Sequence, residues 1–406
     1  MGDKYMDLEM KRIKKEYLRK ILTASLNNRN YSTVVFYASF CLNEIKDIIE
    51  ELKVEFHIDI VIFIDFDNDK IKSFYQSNPT EKEIDTFIPR FPKPTGNMKI
   101  IYFHNAITDM SYNYFSDYSQ KYYQHLQEVN KEVFYRIKNS TRRDQTVTVC
   151  PNKEWAEGLL GSQDRLQELW IKISKTLLNQ DVAKKEIEER IQRKNELNRI
   201  GIRSLSFYTD LGTDFRIALN SHSIWRCEPN DIAGVFNFFN YPSYEIYTSP
   251  NCYSADGKII LSKKERYYYD IIIENAVFEF SKGKLISSKS NSEKFDSTVL
   301  YKPNKMNRIG EIGLVSQSSP LASAEDFYDS LLLDENTGCH FALGDCIDDC
   351  IGIEKKKIEE KGARYYRYNT SKYHTDLVFG DDSISVEAKT RDKKKVLLME
   401  KGIWKI

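Results

Sequence analysis

Histidine is scarce in this sequence, with six among 406 residues. Neither charge sign is in excess: Lys+Arg and Asp+Glu both number 60, and the formal net charge is zero. A balanced chain has no global electrostatic reason to bind nucleic acid or an anionic membrane surface, so neither is expected as a partner. No run of about 18 uncharged apolar residues occurs, so no transmembrane helix is expected. The opening stretch MGDKYMDLEMKRIKKEYLRK is charged throughout and holds no apolar signal-peptide core. It also lacks the Ser or Thr that a myristoylation signal carries at the sixth position. The seven cysteines are odd in number and scattered, which favours free thiols in a reducing compartment. The expectation is a cytoplasmic protein.

What is present suits two substantial domains, since 406 residues exceed one ordinary core and 41% of them are hydrophobic. Residues 5–27 have apolar positions at helical spacing. TVVFYASFCL (33–42), IDIVIFIDF (58–66) and MKIIYFHNA (98–106) are apolar, β-branched and aromatic runs that suit buried strands. The intervening NEIKDIIEELKVEF is helical in pattern. Strands alternating with helices predict an N-terminal α/β domain with a mainly parallel sheet over 1–150. A helix is expected over about 111–138, where Tyr112, Phe115, Tyr118, Tyr122 and Tyr123 form a packing stripe. TVTVCP resumes extended structure, and Pro151 marks the boundary. Two helical stretches then precede a strand-rich region beyond about 202, in which SLSFYT and FRIAL flank a hairpin turn containing Asp214. The second domain, 151–406, is read as the larger, an α+β domain.

Four histidines offer little for chemistry. His57 lies among strand-like residues, His125 on the tyrosine-rich helix, and His104 and His222 lack neighbouring carboxylates in a ligand-like pattern. The C-terminal pair differs. His374 and Asp376 are two apart in a stretch patterned as a strand, so both face the same side and could reach one metal ion or simply bond each other. His340 lies in DENTGCHFALG, Glu311 in the apolar GEIGLV, and Glu245 in NYPSYEIYTSP. Singly, each also reads as a surface acid or a structural histidine. Buried carboxylates are costly unless paired, hydrogen-bonded or metal-bound, and three acids with two histidines match the ligand types of two divalent ions.

These segments resemble the thermophilic metallo-aminopeptidase family, the aminopeptidase T and aminopeptidase S group. PNKEWAEGLLG, GTDFRIAL with Trp225, NYPSYEIYTSP, GEIGLV, DENTGCHFALG and YHTDLVFG follow that family's motifs in order, and the resemblance covers about 147–406. It implies metal ligands at Glu245, Glu311, His340, His374 and Asp376, holding two divalent ions (Zn, Co or Mn). It implies Glu311 as catalytic base and hydrolysis of the N-terminal residue of short peptides. It also implies a homodimer whose N-terminal domain gates the site.

One position departs from the pattern. Seven residues after His340 the family carries a tyrosine thought to assist at the tetrahedral intermediate, and here Ile347 stands there. Tyr365, Tyr366, Tyr368 and Tyr373 are candidate replacements. Two alternatives follow: a specialised or inactive peptide-binding homologue, and a mononuclear non-haem iron dioxygenase using His340, His374 and Asp376. A zinc site built from Cys339, Cys346 and Cys350 with His340 is a further possibility of the GDCIDDC stretch.

Overall fold

The computed structural model describes all residues except 1, 28–30, 39, 41, 65–67, 92–96, 105–116, 132–143, 179, 232–235, 269–270, 302–305 and 324–326. The chain forms two compact units, Met1–Gln180 with Pro229–Pro242, and Asp181–Glu228 with Ser243–Ile406.

The first unit is built on four parallel strands, in the spatial order Asp59–Ile64, Thr33–Ala38, Met98–His104, Gln145–Val149. Strands covered on both faces read as continuous apolar runs rather than alternating ones. Val34, Val35 and Phe36 are accordingly all fully buried. Val35, Phe63 and Ile100 enter a cluster with Ile71, Tyr75, Ile88, Tyr122 and Leu126, while Val34 and Phe36 point the other way. The helix Gly2–Leu26 buries Tyr17, Leu18, Ile21 and Leu22 and packs against the helix Leu166–Leu178. The first unit therefore runs past Pro151 to include Lys153–Leu160 and Leu166–Leu178. Within the expected helix of 111–138, Asp117–Val129 is helical, and Tyr122 serves packing as expected. Tyr112 and Phe115 lie outside the described residues. Among the described residues no helix is long and apolar enough to cross a membrane.

The second unit carries two larger antiparallel sheets. One has eight strands, with Ile202–Tyr208 and Asp214–Ala218 pairing as the expected hairpin at its centre. The other has five, in the order His374–Val378, His340–Gly344, Ile309–Leu314, Ile246–Thr248, Arg226–Cys227. Aromatic rings join them. Phe341 of the five-stranded sheet meets Phe278 and Phe280 of the eight-stranded one at 5.5 and 6.1 Å between centroids. Each fully buried phenylalanine contributes about 1.5–3 kcal/mol, so this seam fixes which face of the five-stranded sheet turns inward. Every residue of Ile309–Leu314 and His340–Gly344 is buried. The expected architecture, an α/β unit with a parallel sheet followed by a larger α+β unit, is the one observed.

Candidate metal centre

Alternation along His340–Gly344 sends Phe341 and Leu343 to the aromatic seam and His340 to the opposite face. In the register of the sheet, Ala342 stands between Glu311 and Asp376, and Gly344 stands opposite His374. The small side chain of Ala342 leaves the space between the two carboxylates open. Gly313 pairs with His340, and a Cβ on it would lie 2.1 Å from His340 Nε2. The glycine is therefore a window through which the imidazole reaches Glu245.

The five residues singled out from the sequence come together here. His340 Nε2 lies 3.1 Å from Glu245 Oε2. His374 Nε2 lies 3.1 Å from Glu311 Oε2 and 3.4 Å from Asp376 Oδ1. Two groups result, Glu245–Glu311–His340 and Glu311–His374–Asp376, each with ligand atoms within 4.8 Å of one another, and Glu311 belongs to both. The first group is buried, whereas 28% of the His374 side chain and 18% of that of Asp376 are exposed, so the second faces solvent. Both histidines are oriented from behind. His340 Nδ1 lies 3.2 Å from the Gly338 carbonyl and His374 Nδ1 lies 3.0 Å from that of Asp345. A proton on each Nδ1, donated to these carbonyls, leaves the Nε2 lone pair facing the carboxylates, which is how metal-ligating histidines are set.

The DENT run before His340 supports this geometry residue by residue. Asp334 accepts the Tyr328 and Ser330 N–H groups at 2.7 and 2.8 Å. Asn336, fully buried, accepts the Tyr244 N–H at 2.6 Å and so holds the segment that delivers Glu245. The Arg190 guanidinium sits 5.6 Å from the Tyr244 ring, and its Nε and Nη2 donate to the Glu228 carbonyl at 3.1 and 2.8 Å. Thr337 closes its own turn onto the Asp334 carbonyl at 2.7 Å.

Glu335 is the residue that reading the sequence missed. Burial and the charges of Glu245, Asp376 and Glu311 push its carboxyl well above the usual range, so it belongs to the same electrostatic cluster. An acid five residues before His340 was a visible signal; the short turn Glu335–Thr337 that brings it to the cluster was not.

The other groups titrate as a crowded acid cluster should. Burial raises Glu311, His374 opposes that, and Asp376 and Glu245 add to it. Burial would lower His340, but the Glu245 carboxylate prevails and lifts it to about 9. His374 is likewise raised, its burial outweighed by Asp376 and Glu311. Asp376 is lowered against its burial, chiefly by His374.

A pH dependence follows for the metal-free chain. Groups raised on folding bind more protons in the native state, so stability falls as pH rises. The His340 contribution is fully present below its ordinary pKa of 6.5 and lost through about 9. Raised Glu311 and Glu335 act in the same direction, while the lowered Asp376 acts only at acid pH. Metal binding requires neutral histidine. Between these limits, chelator-treated protein is expected to lose on the order of 3 kcal/mol of stability. The stabilisation gained on adding zinc should widen over the same range. Thermal unfolding across that range checks this; a flat profile for the metal-free chain would contradict it.

Several side chains considered from the sequence lie elsewhere. His57 and His104 belong to the first unit, as does His125, which bonds the Tyr75 hydroxyl at 2.8 Å. His222 is exposed. The cysteine-based zinc site is not formed. Cys339 Sγ contacts the Val315 carbonyl and Met399, Cys350 Sγ turns to the Tyr247 carbonyl, and His340 is engaged by Glu245. Cys339 lies just before the strand that begins at His340, and the two side chains meet different partners. Of the candidate tyrosines, Tyr365 is exposed, Tyr366 packs against the cluster of Cys346, Ile351, Ala363 and Tyr368, and the Tyr368 hydroxyl sits 3.4 Å from Ser223 Oγ. Ile347 exchanges bonds with Ser249, its N–H donating to Oγ at 2.8 Å.

Acids and histidines gathered in two groups around a shared glutamate are a donor set suited to divalent metal ions. The sequence profile described as thermophilic metalloprotease (M29) matches residues 14–404, and the chain belongs to that family. Aminopeptidase PepS of Streptococcus thermophilus is 26% identical over 66% of this chain and 67% of its own length. Aminopeptidase 2 of Geobacillus stearothermophilus is 25% identical over 63% of each chain. The matched stretch thus spans about two thirds of these curated relatives. Wild-type AmpT from Thermus thermophilus shares the fold, with a TM-score of 0.75 over 98% of this chain and 100% of that one at 16% identity. A 2,5-dihydroxypyridine dioxygenase from Pseudomonas putida KT2440 superposes less well, with a TM-score of 0.50 at 14% identity over 98% and 97%.

Proposed function

We propose that this chain is an aminopeptidase that hydrolyses the N-terminal residue of short peptides. In this reading Glu245, Glu311, His340, His374 and Asp376 hold two divalent ions, zinc, cobalt or manganese. The observation that carries the reading is the sharing of Glu311 between two donor groups. Two carboxylate–imidazole groups joined by one glutamate fit a pair of adjacent ions better than a single one. Ions bound there would supply Lewis acidity and a water of lowered pKa.

The protein's own groups then have distinct roles. Glu245 and His340 form the buried floor, and His374 with Asp376 the wall open to solvent. Glu311, shared by the two groups, would take a proton from the attacking water and return it to the leaving amine. Glu335 adds a further carboxylate suited to the positively charged α-amino group of a peptide. A homodimer in the cytoplasm belongs to the same reading.

The test is metal analysis combined with digestion of a short-peptide library, comparing the native chain with His374→Ala. Two divalent ions per native chain, stepwise loss of N-terminal residues, and loss of both in the variant are expected. One iron per chain and no peptide turnover would overturn the proposal in favour of an oxygenase. Ile347 supports a second reading, a peptide-binding or single-substrate homologue. A missing oxyanion donor costs about 10²–10³ in rate. Two bound ions with no cleavage of any library member would select that reading.

A further inference from the structure

Away from the acid cluster, the second unit holds two arginines whose charges oppose each other. Arg308, which immediately precedes the strand Ile309–Leu314, is 6% exposed. Its Nη1 donates to the carbonyls of Cys252 and Gly283 at 2.8 and 2.9 Å. The Tyr253 ring lies 4.7 Å from its guanidinium carbon, a cation–π contact that fixes the guanidinium against the ring. The acceptors are themselves rigid. Gly283, in the turn between the paired strands Val277–Ser281 and Lys284–Lys289, has φ of +77°, and a Cβ there would lie 2.3 Å from Tyr253 Cα, so only glycine fits this turn.

Two carbonyls occupy Nη1, and among the described residues nothing bonds the other edge of Arg308. That edge, Nε with Nη2, is the planar fork that binds carboxylate or phosphate with two parallel hydrogen bonds. Among the described residues no carboxylate takes it. Arg364 lies on the turn Ala363–Tyr366, and this turn is brought alongside by the Cys252 N–H, which donates to the Arg367 carbonyl at 2.9 Å. Arg364 Nε is buried and has no hydrogen-bond partner. Burial, reinforced by the neighbouring Arg364 charge, lowers the Arg308 pKa. An unpaired buried cation is costly, and here a second cation stands beside it. A structural role in tying carbonyls accounts for Arg308 Nη1 alone. It accounts neither for a fork with no partner among the described residues nor for the orphaned Nε of Arg364.

We infer that Arg308 and Arg364 form a binding site for a small oxyanion, a phosphate or carboxylate group, separate from the acid-rich centre. The inference does not depend on peptidase activity. The metal-free centre is lined by carboxylates and repels anions, so the two sites are distinguishable in one sample.

The experiment is calorimetric titration of the chelator-treated full-length chain with inorganic phosphate, and separately with acetate, at constant ionic strength set by chloride. At least one of the two is expected to bind at one per chain, and the tighter identifies the group recognised. Arg364→Gln removes the charge without touching the carbonyl ties of Arg308, and should weaken binding at least tenfold with an unchanged far-ultraviolet spectrum. Arg364→Lys should retain part of it. Absence of binding by either anion, or equal affinity in the native chain and both variants, would overturn the assignment.

Discussion

Glu311→Gln is expected to lower kcat/KM for short peptides by about 10³ or more. Glutamine keeps the shape of the side chain and its place in the register opposite Ala342, so the change removes charge and basicity rather than packing. Glu311 is the one side chain common to both donor groups, and its loss would weaken both at once. Lewis-acid stabilisation by bound ions is worth several kcal/mol, and each 1.36 kcal/mol is tenfold in rate. The variant should hold fewer than two ions per chain, as read by elemental analysis after dialysis. Its metal-free form should gain stability at neutral pH, because a buried carboxyl held above its usual range has been replaced by a neutral amide. Activity within tenfold of the native chain would remove Glu311 from the mechanism.

The second large effect is expected from Gly313→Ala, which adds one methyl group. The new Cβ would lie 2.1 Å from His340 Nε2 and 2.2 Å from Cε1, closer than any real contact. Backbone movement at this point is resisted by strands buried along their whole length, so the imidazole must turn away from Glu245. Overpacking of this kind costs about 1–3 kcal/mol, which a two-sheet unit of this size tolerates. Metal affinity should fall at least 10–100-fold, the range seen when the orientation of a ligating histidine is lost. Calorimetry with zinc and a far-ultraviolet spectrum would separate loss of the site from loss of the fold. Native-like zinc affinity in the variant would mean that His340 does not work through this window.

The contrast between these two residues shows what was legible in the sequence. Parallel strands such as TVVFYA announce themselves because both faces are buried and no polar residue interrupts them. His374 and Asp376 could be joined at sight, since a spacing of two places both on one strand face. Glu245 and His340 could not. Ninety-five positions separate them, and only the resemblance to known motifs put them in one set. Gly313 and Asn336 carry no chemical signal at all. One acts through a missing side chain and the other through a backbone N–H two strands away in the fold. Glu335 was visible as an acid but not as a member of the cluster, because a short turn rather than a periodic element directs it. The cysteines of GDCIDDC failed in the opposite sense: their proximity in sequence suggested a site, but they follow the strand that carries His340, and Cys350 Sγ turns to the Tyr247 carbonyl instead.

The path of the backbone between the two units has a practical consequence. The chain passes from one to the other at 180/181, at 228/229 and again at 242/243, the last of these just ahead of Glu245. No single cut therefore yields either unit as a continuous fragment, and any contiguous piece containing all five acid and histidine positions and the central hairpin also carries residues 229–242. Dissecting this protein into separately expressed parts would call for circular permutation or a bridging linker across 228 and 243 rather than simple truncation. Inactivity of a truncated fragment would consequently reveal nothing about whether the second unit suffices for catalysis.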